Sequence, residues 1–214
     1  MRRIQKGREP ASLTEHRAAT GTDYENYRDK DTLRAHLVKE QRGLCCYCLS
    51  RIRADRESTR IEHWHCQANY KTERLDYSNL LGACMGGEGK AARGQHCDTR
   101  KGKRDLSRNP ANPLHRVEDV IHVIQFPGDG RIVSNDPVFD AELNGVLNLN
   151  LAFLRNNRKE ILNSFKDALA KRGQLPTTAL EKWLREWNGE EDTGELRPFC
   201  QVVVYWLRKR LARP

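Results

Sequence analysis

No stretch of the 214-residue chain reaches the roughly 18 consecutive apolar residues that a membrane-crossing helix needs, so no membrane span is expected. The basic opening Met1-Arg2-Arg3-Ile4-Gln5-Lys6 is not followed by an apolar segment, which argues against a secretory signal. There is no internal repeat and no low-complexity tract, which excludes stacked-repeat and linker-like designs. Acidic residues are the minority, 29 against 38 basic, for a net charge of +9. A surface of that sign attracts polyanions, and nucleic acid is the commonest partner. Apolar content is modest at 37% and mean hydropathy is −0.82. That is still well above a disordered composition, and the length allows a sizeable core in one or two domains.

What the chain does have is cysteine, concentrated in one place. Six of the seven cysteines fall between Leu44 and Lys101. Without an export signal, a reducing cytoplasmic setting is expected, where clustered thiols bind metal more often than they pair as disulfides. Cys45-x-x-Cys48 has the spacing of a zinc knuckle, in which a tight turn converges two thiolates on one ion. Cys84 and Cys97 complete a tetrahedral set of four cysteines for structural Zn2+. Twelve residues separate that second pair; four of them are glycine, so the insert can loop out and leave the ligands together. His96 is the reserve ligand. Cys46 reads as a bystander and Cys200 as a core residue, while Cys66 is undecided.

Around this block the chain divides into three. Residues 1–30 are polar and read as an irregular N-terminal arm. Residues 31–104 form the Cys/His module, opened by a helix through Leu33, Leu37 and Val38 that Asp31 caps and Gly43 ends. Residues 105–214 read as a linker (105–116), a β-hairpin and a helical region. The hairpin pairs Val120–Phe126 with Arg131–Val133 across the Pro127-Gly128-Asp129-Gly130 turn. Beyond Asp136, Leu143, Leu147, Leu151 and Leu154 recur at helical spacing, as do Ile161, Phe165 and Leu169. Further helices run from Pro176 through Trp187 and from Phe199 to Leu211. His16, His36, His115 and His122 have no partners in sequence and read as ordinary packing or surface histidines.

A second kind of chemistry is interleaved with the thiols. Ile61-Glu62-His63, then Tyr77-Ser78-Asn79-Leu80, then Cys97-Asp98-x-x-Lys101-Gly102 stand in an order that resembles the HNH endonucleases. Gln41-x-Gly43-Leu44-Cys45-x-Tyr47-Cys48 fits the same pattern. The resemblance implies an α+β fold, a zinc-stabilised ββα-metal finger, here followed by the small hairpin and the mostly helical C-terminal region. It departs from the family at His63-Trp64-His65-Cys66, where His-x-x-Pro is frequent, and at Asp98, where His or Asn is frequent.

The resemblance extends to the PtuB group of HNH proteins. It is carried by Met1–Gly7 with Glu9-Pro10, by Leu147-Asn148-Leu149-Asn150 with Leu154-Arg155-x-x-Arg158, and by Phe199-Cys200-x-Val202-Val203-Val204-Tyr205-Trp206-Leu207. It implies a PtuA-type ATPase as partner in antiphage defence of the Septu kind. In a retron setting, a reverse transcriptase and its RNA–DNA product join them.

Phosphodiester hydrolysis needs a base for water, charge neutralisation on phosphate and help for the leaving oxygen. His63, ordinarily titrating near 6.5, suits the base. Glu62 and Asp98 are oxygen donors suited to Mg2+ or Mn2+. On a regular strand Glu62 points away from His63, so that role asks for an irregular strand end. The resemblance gives Asn79 the task of fixing the loop that carries the base. Arg100, Lys101, Lys103 and Arg104 are expected to meet flanking phosphates. Two plainer readings compete. His63 could ligate zinc, and the chain could be a non-catalytic zinc-dependent nucleic-acid-binding or structural subunit. Trp183, Trp187, Tyr205 and Trp206 divide between an interface and a core role.

Overall fold

The computed structural model describes residues 1–111, 123–173, 175–192 and 194–212. The remaining residues include the end of the expected linker, the start of the expected 120–126 strand, His115 and His122, and these lie outside the described set.

Helix α1 (Ala11–Ala18) and helix α2 (Lys30–Glu40) open the chain. Strand β1 (Thr59–His63) pairs antiparallel with strand β2 (Leu80–Cys84), and helix α3 (Cys97–Lys101) packs on β2. A second two-stranded antiparallel sheet joins β3 (Ile124–Gln125) to β4 (Val133–Ser134). Helices α4 (Pro137–Ala141), α5 (Ala152–Ala170), α6 (Thr177–Asn188) and α7 (Cys200–Leu211) complete it. The chain is therefore α+β with two small sheets, and among the described residues no helix is long and apolar enough to cross a membrane.

Residues 1–30 are not wholly irregular, since they hold α1, and they pack on the rest of the chain. Leu13 of α1, Tyr24 and Tyr27 pack with Leu33 and Leu37 of α2 and with Tyr77 and Leu80. Met1 and Ile4 enter the main core beside the zinc-knuckle cysteines. The α2 start also differs: the N-cap position is Asp29, and Asp31 sits in the first turn, where its carboxylate pairs with Arg34 and Arg56. Gly43 ends the helix as expected, its N–H returning to the Val38 carbonyl at 2.9 Å.

Among the described residues the second hairpin pairs Ile124 with Ser134 and Gln125 with Val133, and its ladder stops short of Phe126 and Ile132. The cause is Asn150. Its Oδ1 accepts from the Ile132 N–H and its Nδ2 donates to the Ile132 carbonyl, both at 2.9 Å, so Ile132 has no backbone groups left for a ladder. The leucine period after Asp136 breaks too. A π-turn spans Glu142–Val146 and Asn148 takes a left-handed φ of 51°.

In the C-terminal region Leu154, Arg158, Leu162 and Phe165 form the buried face of α5. The Phe165 ring meets Trp183, Trp187 and Trp206 edge to face at 5.6, 5.4 and 5.8 Å. Tyr205 packs likewise on Phe126. These aromatics hold α5, α6 and α7 to one another, which is the core role; Trp183, Tyr205 and Trp206 remain half-buried.

Candidate metal centre and the site beside it

Residues 44–51 fold back on themselves. Leu44 bridges Arg51, the Cys45 N–H meets the Ser50 carbonyl at 2.9 Å, and Leu49 takes a left-handed φ of 65° that closes the turn. The Cys46 N–H then docks on the Gly82 carbonyl of β2 at 3.1 Å, which brings the knuckle to Cys84 at the end of that strand. The side-chain amide of Gln41 strengthens the joint: its Nε2 donates to the Gly82 and Leu44 carbonyls, and its Oε1 accepts from the Gly82 N–H.

The insert between Cys84 and Cys97 loops out as its glycines allow. The His96 N–H returns to the Gly86 carbonyl at 2.8 Å. Gly86 has φ +59° and a Cβ there would lie 2.3 Å from the His96 carbonyl oxygen, so only glycine fits. Asn148 ties the other side by donating to the Arg93 and Gln95 carbonyls. The Cys97 N–H bonds the Leu147 carbonyl at 2.9 Å. The Leu147–Asn150 segment is thus a buttress that holds the insert and Cys97 in place.

The sulfurs of Cys45, Cys48, Cys84 and Cys97 converge as the spacing suggests, all within 4.8 Å of one another. Cys45 to Cys97 is 3.9 Å and Cys48 to Cys84 is 3.8 Å. Zn–S bonds of about 2.3 Å at tetrahedral angles put sulfurs about 3.8 Å apart, so the four thiols fit a zinc ion. Burial, followed by the sulfurs around it, pushes the Cys97 thiol well above its ordinary range, while hydrogen bonds from the neighbouring thiols outweigh burial and hold Cys45 well below its own. The Cys84 N–H points at the Cys45 sulfur at 3.3 Å, a contact suited to a thiolate. His96 Nε2 stands 3.7 Å from the Cys84 sulfur, beside the set and not one of the four. Cys46, Cys66 and Cys200 are buried outside it.

The β1–β2 register sets Thr59 opposite Cys84 and His63 opposite Leu80. The Cys84 end and the His63 end of the hairpin are therefore four residues apart, about 13 Å along a strand. His63 is buried at 5% exposure. Its Nε2 lies 3.0 Å from the Arg74 carbonyl; a carbonyl only accepts, so in the neutral ring Nε2 carries the hydrogen and Nδ1 keeps the free lone pair. Tyr24 stands edge-on to the ring at 4.4 Å. Burial pushes His63 down to about 4, offset only in part by the bond to the Arg74 carbonyl. The ring is neutral at pH 7, and it is a weaker base here than its ordinary value near 6.5 implies.

Asn79 closes the loop between the strands. Its Oδ1 accepts from the His65 N–H at 2.7 Å, and its Nδ2 donates to the His65 and Glu73 carbonyls at 3.1 and 3.2 Å. The Trp64 N–H meets the Asn79 carbonyl at 2.9 Å. Glu73 precedes Arg74, so Asn79 fixes both the residues after His63 and the carbonyl that holds its ring.

Glu62 points the other way, as a regular strand requires. It is 3% exposed and accepts from Tyr47 Oη at 2.6 Å and Lys101 Nζ at 2.7 Å. Burial and the hydrogen-bonded Asp98 carboxyl push the Glu62 acid well up, and the Lys101 ammonium opposes them. Asp98, in the first turn of α3, is held by Arg60 at 3.4 Å. Two carboxyls in contact suit a hard cation, and Lys101 supplies the positive charge between α3 and β1 in this structure. His63 does not join them in a single ligand cluster; among the described residues the four-cysteine set alone does so.

The expected phosphate-facing cations divide. The Lys101 side chain is 1% exposed, and its ammonium meets Glu62 and the His63 carbonyl, the latter at 3.1 Å. Arg104 folds back to cap α3 through the Lys101 carbonyl at 3.1 Å and also reaches the Gly145 and Val146 carbonyls. Arg100 is half-buried and donates to the Ala92 carbonyl. Lys103 is exposed. Tyr47 was legible only as part of the knuckle; nothing in its spacing signals the bond to Glu62. Neither a known family model nor a curated protein matches this sequence.

Proposed function

We propose that this chain is a metal-dependent HNH-type endonuclease in which a structural zinc ion braces a ββα finger. The observation that carries the reading is the linkage of Asn79 to His63 through the Glu73–Arg74 backbone. It leaves one named nitrogen, His63 Nδ1, as the base on a rigid strand end. The zinc ion would be held by Cys45, Cys48, Cys84 and Cys97, and its contribution is to fold the finger.

In this reading Glu62 and Asp98 would hold Mg2+ or Mn2+, which when bound neutralises phosphate charge. His63 Nδ1 takes the proton of the attacking water. An anionic phosphodiester beside the ring favours the imidazolium and so moves His63 back toward neutral pH. The Lys101 ammonium must yield Glu62, or share it, before a cation is held there. Lys103, which is exposed, would meet substrate phosphate.

The partner part of the reading, a PtuA-type ATPase and, in a retron setting, a reverse transcriptase with its RNA–DNA product, rests on the terminal motifs. The nuclease itself is tested by incubating plasmid DNA, single-stranded DNA and tRNA with zinc-loaded protein, alone and with the co-expressed ATPase, with and without added Mg2+ or Mn2+. Cleavage that requires the added ion is expected. Binding of nucleic acid without cleavage under every condition would leave the non-catalytic module.

A further inference from the structure

One cleft in the described structure is separate from the His63 site. Of about 540 Å3, it lies between residues 2–7, the end of α2 and the Leu44–Leu49 side of the knuckle. That volume lies in the range of roughly 300–1,000 Å3 typical of small-molecule sites. Its walls carry Arg2, Arg3, Lys6 and Arg42, and its one lining carboxylate is Glu40. That carboxylate is already taken, by Lys6 Nζ at 2.9 Å and by the Gly7 N–H at 2.6 Å. The Lys6–Glu40 pair is therefore neutral, and three arginines remain without a lining anion.

Their donors are not equally occupied. Arg42 spends its guanidinium on the carbonyls of Gly189, Asp192 and Gly194, so its charge is fixed at the rim but unneutralised. Arg2 has a buried Nη1 with no hydrogen-bond partner. Burial holds the Arg2 guanidinium below its ordinary value; the Cys200 side chain bonded to it opposes this, and the nearby Arg42 charge adds to it. A buried cationic donor without a partner is costly, and an anion between Arg2 and Arg42 would satisfy it. Ile4, Leu44 and Leu49 give the cleft an apolar face, and Asn188 and Gln201 bring side-chain amides.

We propose that this cleft is a binding site for the phosphate groups of a nucleotide, with Arg2 and Arg3 as its phosphate ligands and Arg42 as a fixed positive wall. The chemistry follows from the parts. Guanidinium forks match phosphate oxygens in pairs, the apolar face takes a base or sugar, and the amides offer donors and acceptors to a base edge. The site does not depend on the nuclease reading. It adjoins that reading at Cys45, which lines the cleft and belongs to the four-cysteine set, and at the Gln41–Gly82 joint, through which the cleft wall meets β2.

The test is isothermal titration of the full zinc-loaded chain with sodium tripolyphosphate, with ATP and with a 5′-phosphorylated single strand of about ten nucleotides, at low and physiological salt. Saturable binding of tripolyphosphate and ATP is expected, weakened at least tenfold in Arg2→Gln and in Arg3→Glu. Arg3 is exposed, so that variant keeps its fold and zinc content even if Arg2→Gln does not. Lys159→Gln, an exposed lysine on α5, should bind within about twofold of the parent. ATP binding tighter than the strand assigns the cleft to a free nucleotide. Strand binding tighter than ATP, with the same Arg3→Glu loss, assigns it to the phosphates of a nucleic-acid end. Absence of binding by all three probes, or equal losses in Arg3→Glu and Lys159→Gln, would overturn the proposal by leaving net charge alone.

Discussion

Replacing Asn79 by alanine should separate scaffold from base in a single variant. The side chain is 4% exposed and makes three hydrogen bonds, to the His65 N–H, the His65 carbonyl and the Glu73 carbonyl. A neutral hydrogen bond contributes about 1 kcal/mol net, and a stranded buried partner costs about 1–3 kcal/mol. Water entering the space left by the amide recovers part of that, so a loss of about 3 kcal/mol is expected, against a stability of order 5–15 kcal/mol. The variant should therefore fold, keep its zinc and unfold at lower urea with an unchanged slope. Its chemical consequence is local. Once Glu73 is released, the Arg74 carbonyl no longer fixes Nε2–H, and nitrogen-15 chemical shifts of His63 should report mixed tautomers in place of one. Cleavage should fall at least tenfold. Asn79→Asp, which keeps the acceptor but not the donors, should fall between. A destabilisation under about 1 kcal/mol with one unchanged tautomer would refute the linkage from Asn79 to His63.

The thiol set was legible because cysteine spacing reports a local turn: Cys45-x-x-Cys48 closes the knuckle, and a glycine-rich insert is free to leave Cys84 and Cys97 together. The order of β1, β2 and α3 is the one that the HNH resemblance implies, with His63 at the end of β1 and Asn79 just before β2. What stayed hidden depends on distant contacts. Lys101 belongs to an Arg/Lys run expected to meet phosphates, yet its partner Glu62 is on β1. Helix α1 buries only Leu13 among polar residues, too little periodicity to announce a helix. The shift of β4 comes from Asn150, on the far side of a turn and a helix. Tyr24 and the Arg74 carbonyl enclose His63, and neither enclosure nor its effect on the ring's basicity is a property of Glu62-His63 as a dipeptide.

Other outcomes follow from the same geometry. Metal analysis should find one tightly bound zinc per chain, and Cys48→Ala should lose it together with the finger's fold, because structural zinc contributes on the order of 10 kcal/mol in small peptides; a folded, zinc-free parent would contradict this. Lys101→Met should cost about 3–5 kcal/mol by leaving Glu62 buried and uncompensated, and adding Glu62→Gln should recover part of that in a double-mutant cycle; additive losses would show that the pair is not coupled. The pH dependence has a definite sign. His63 titrates near 6.5 unfolded and at about 4 folded, so its stabilisation is complete above about pH 6.5 and is lost as pH falls through about 4, to a total of roughly 3 kcal/mol. Zinc release also occurs on acidification, so the measurement is the difference between parent and His63→Gln at matched zinc content; a difference that does not change between about pH 7 and about pH 4 would contradict the buried neutral ring.

The central claim is that the zinc-braced finger presents His63 as a base, and a single-turnover rate tests it most directly. Parent and His63→Ala, each carrying one zinc, would be compared on the most readily cleaved substrate with Mn2+ and, where it is required, the ATPase partner. Loss of a general base costs about a hundredfold or more, so the account expects at least that reduction with zinc content and fold unchanged. Equal rates in the two proteins would contradict it.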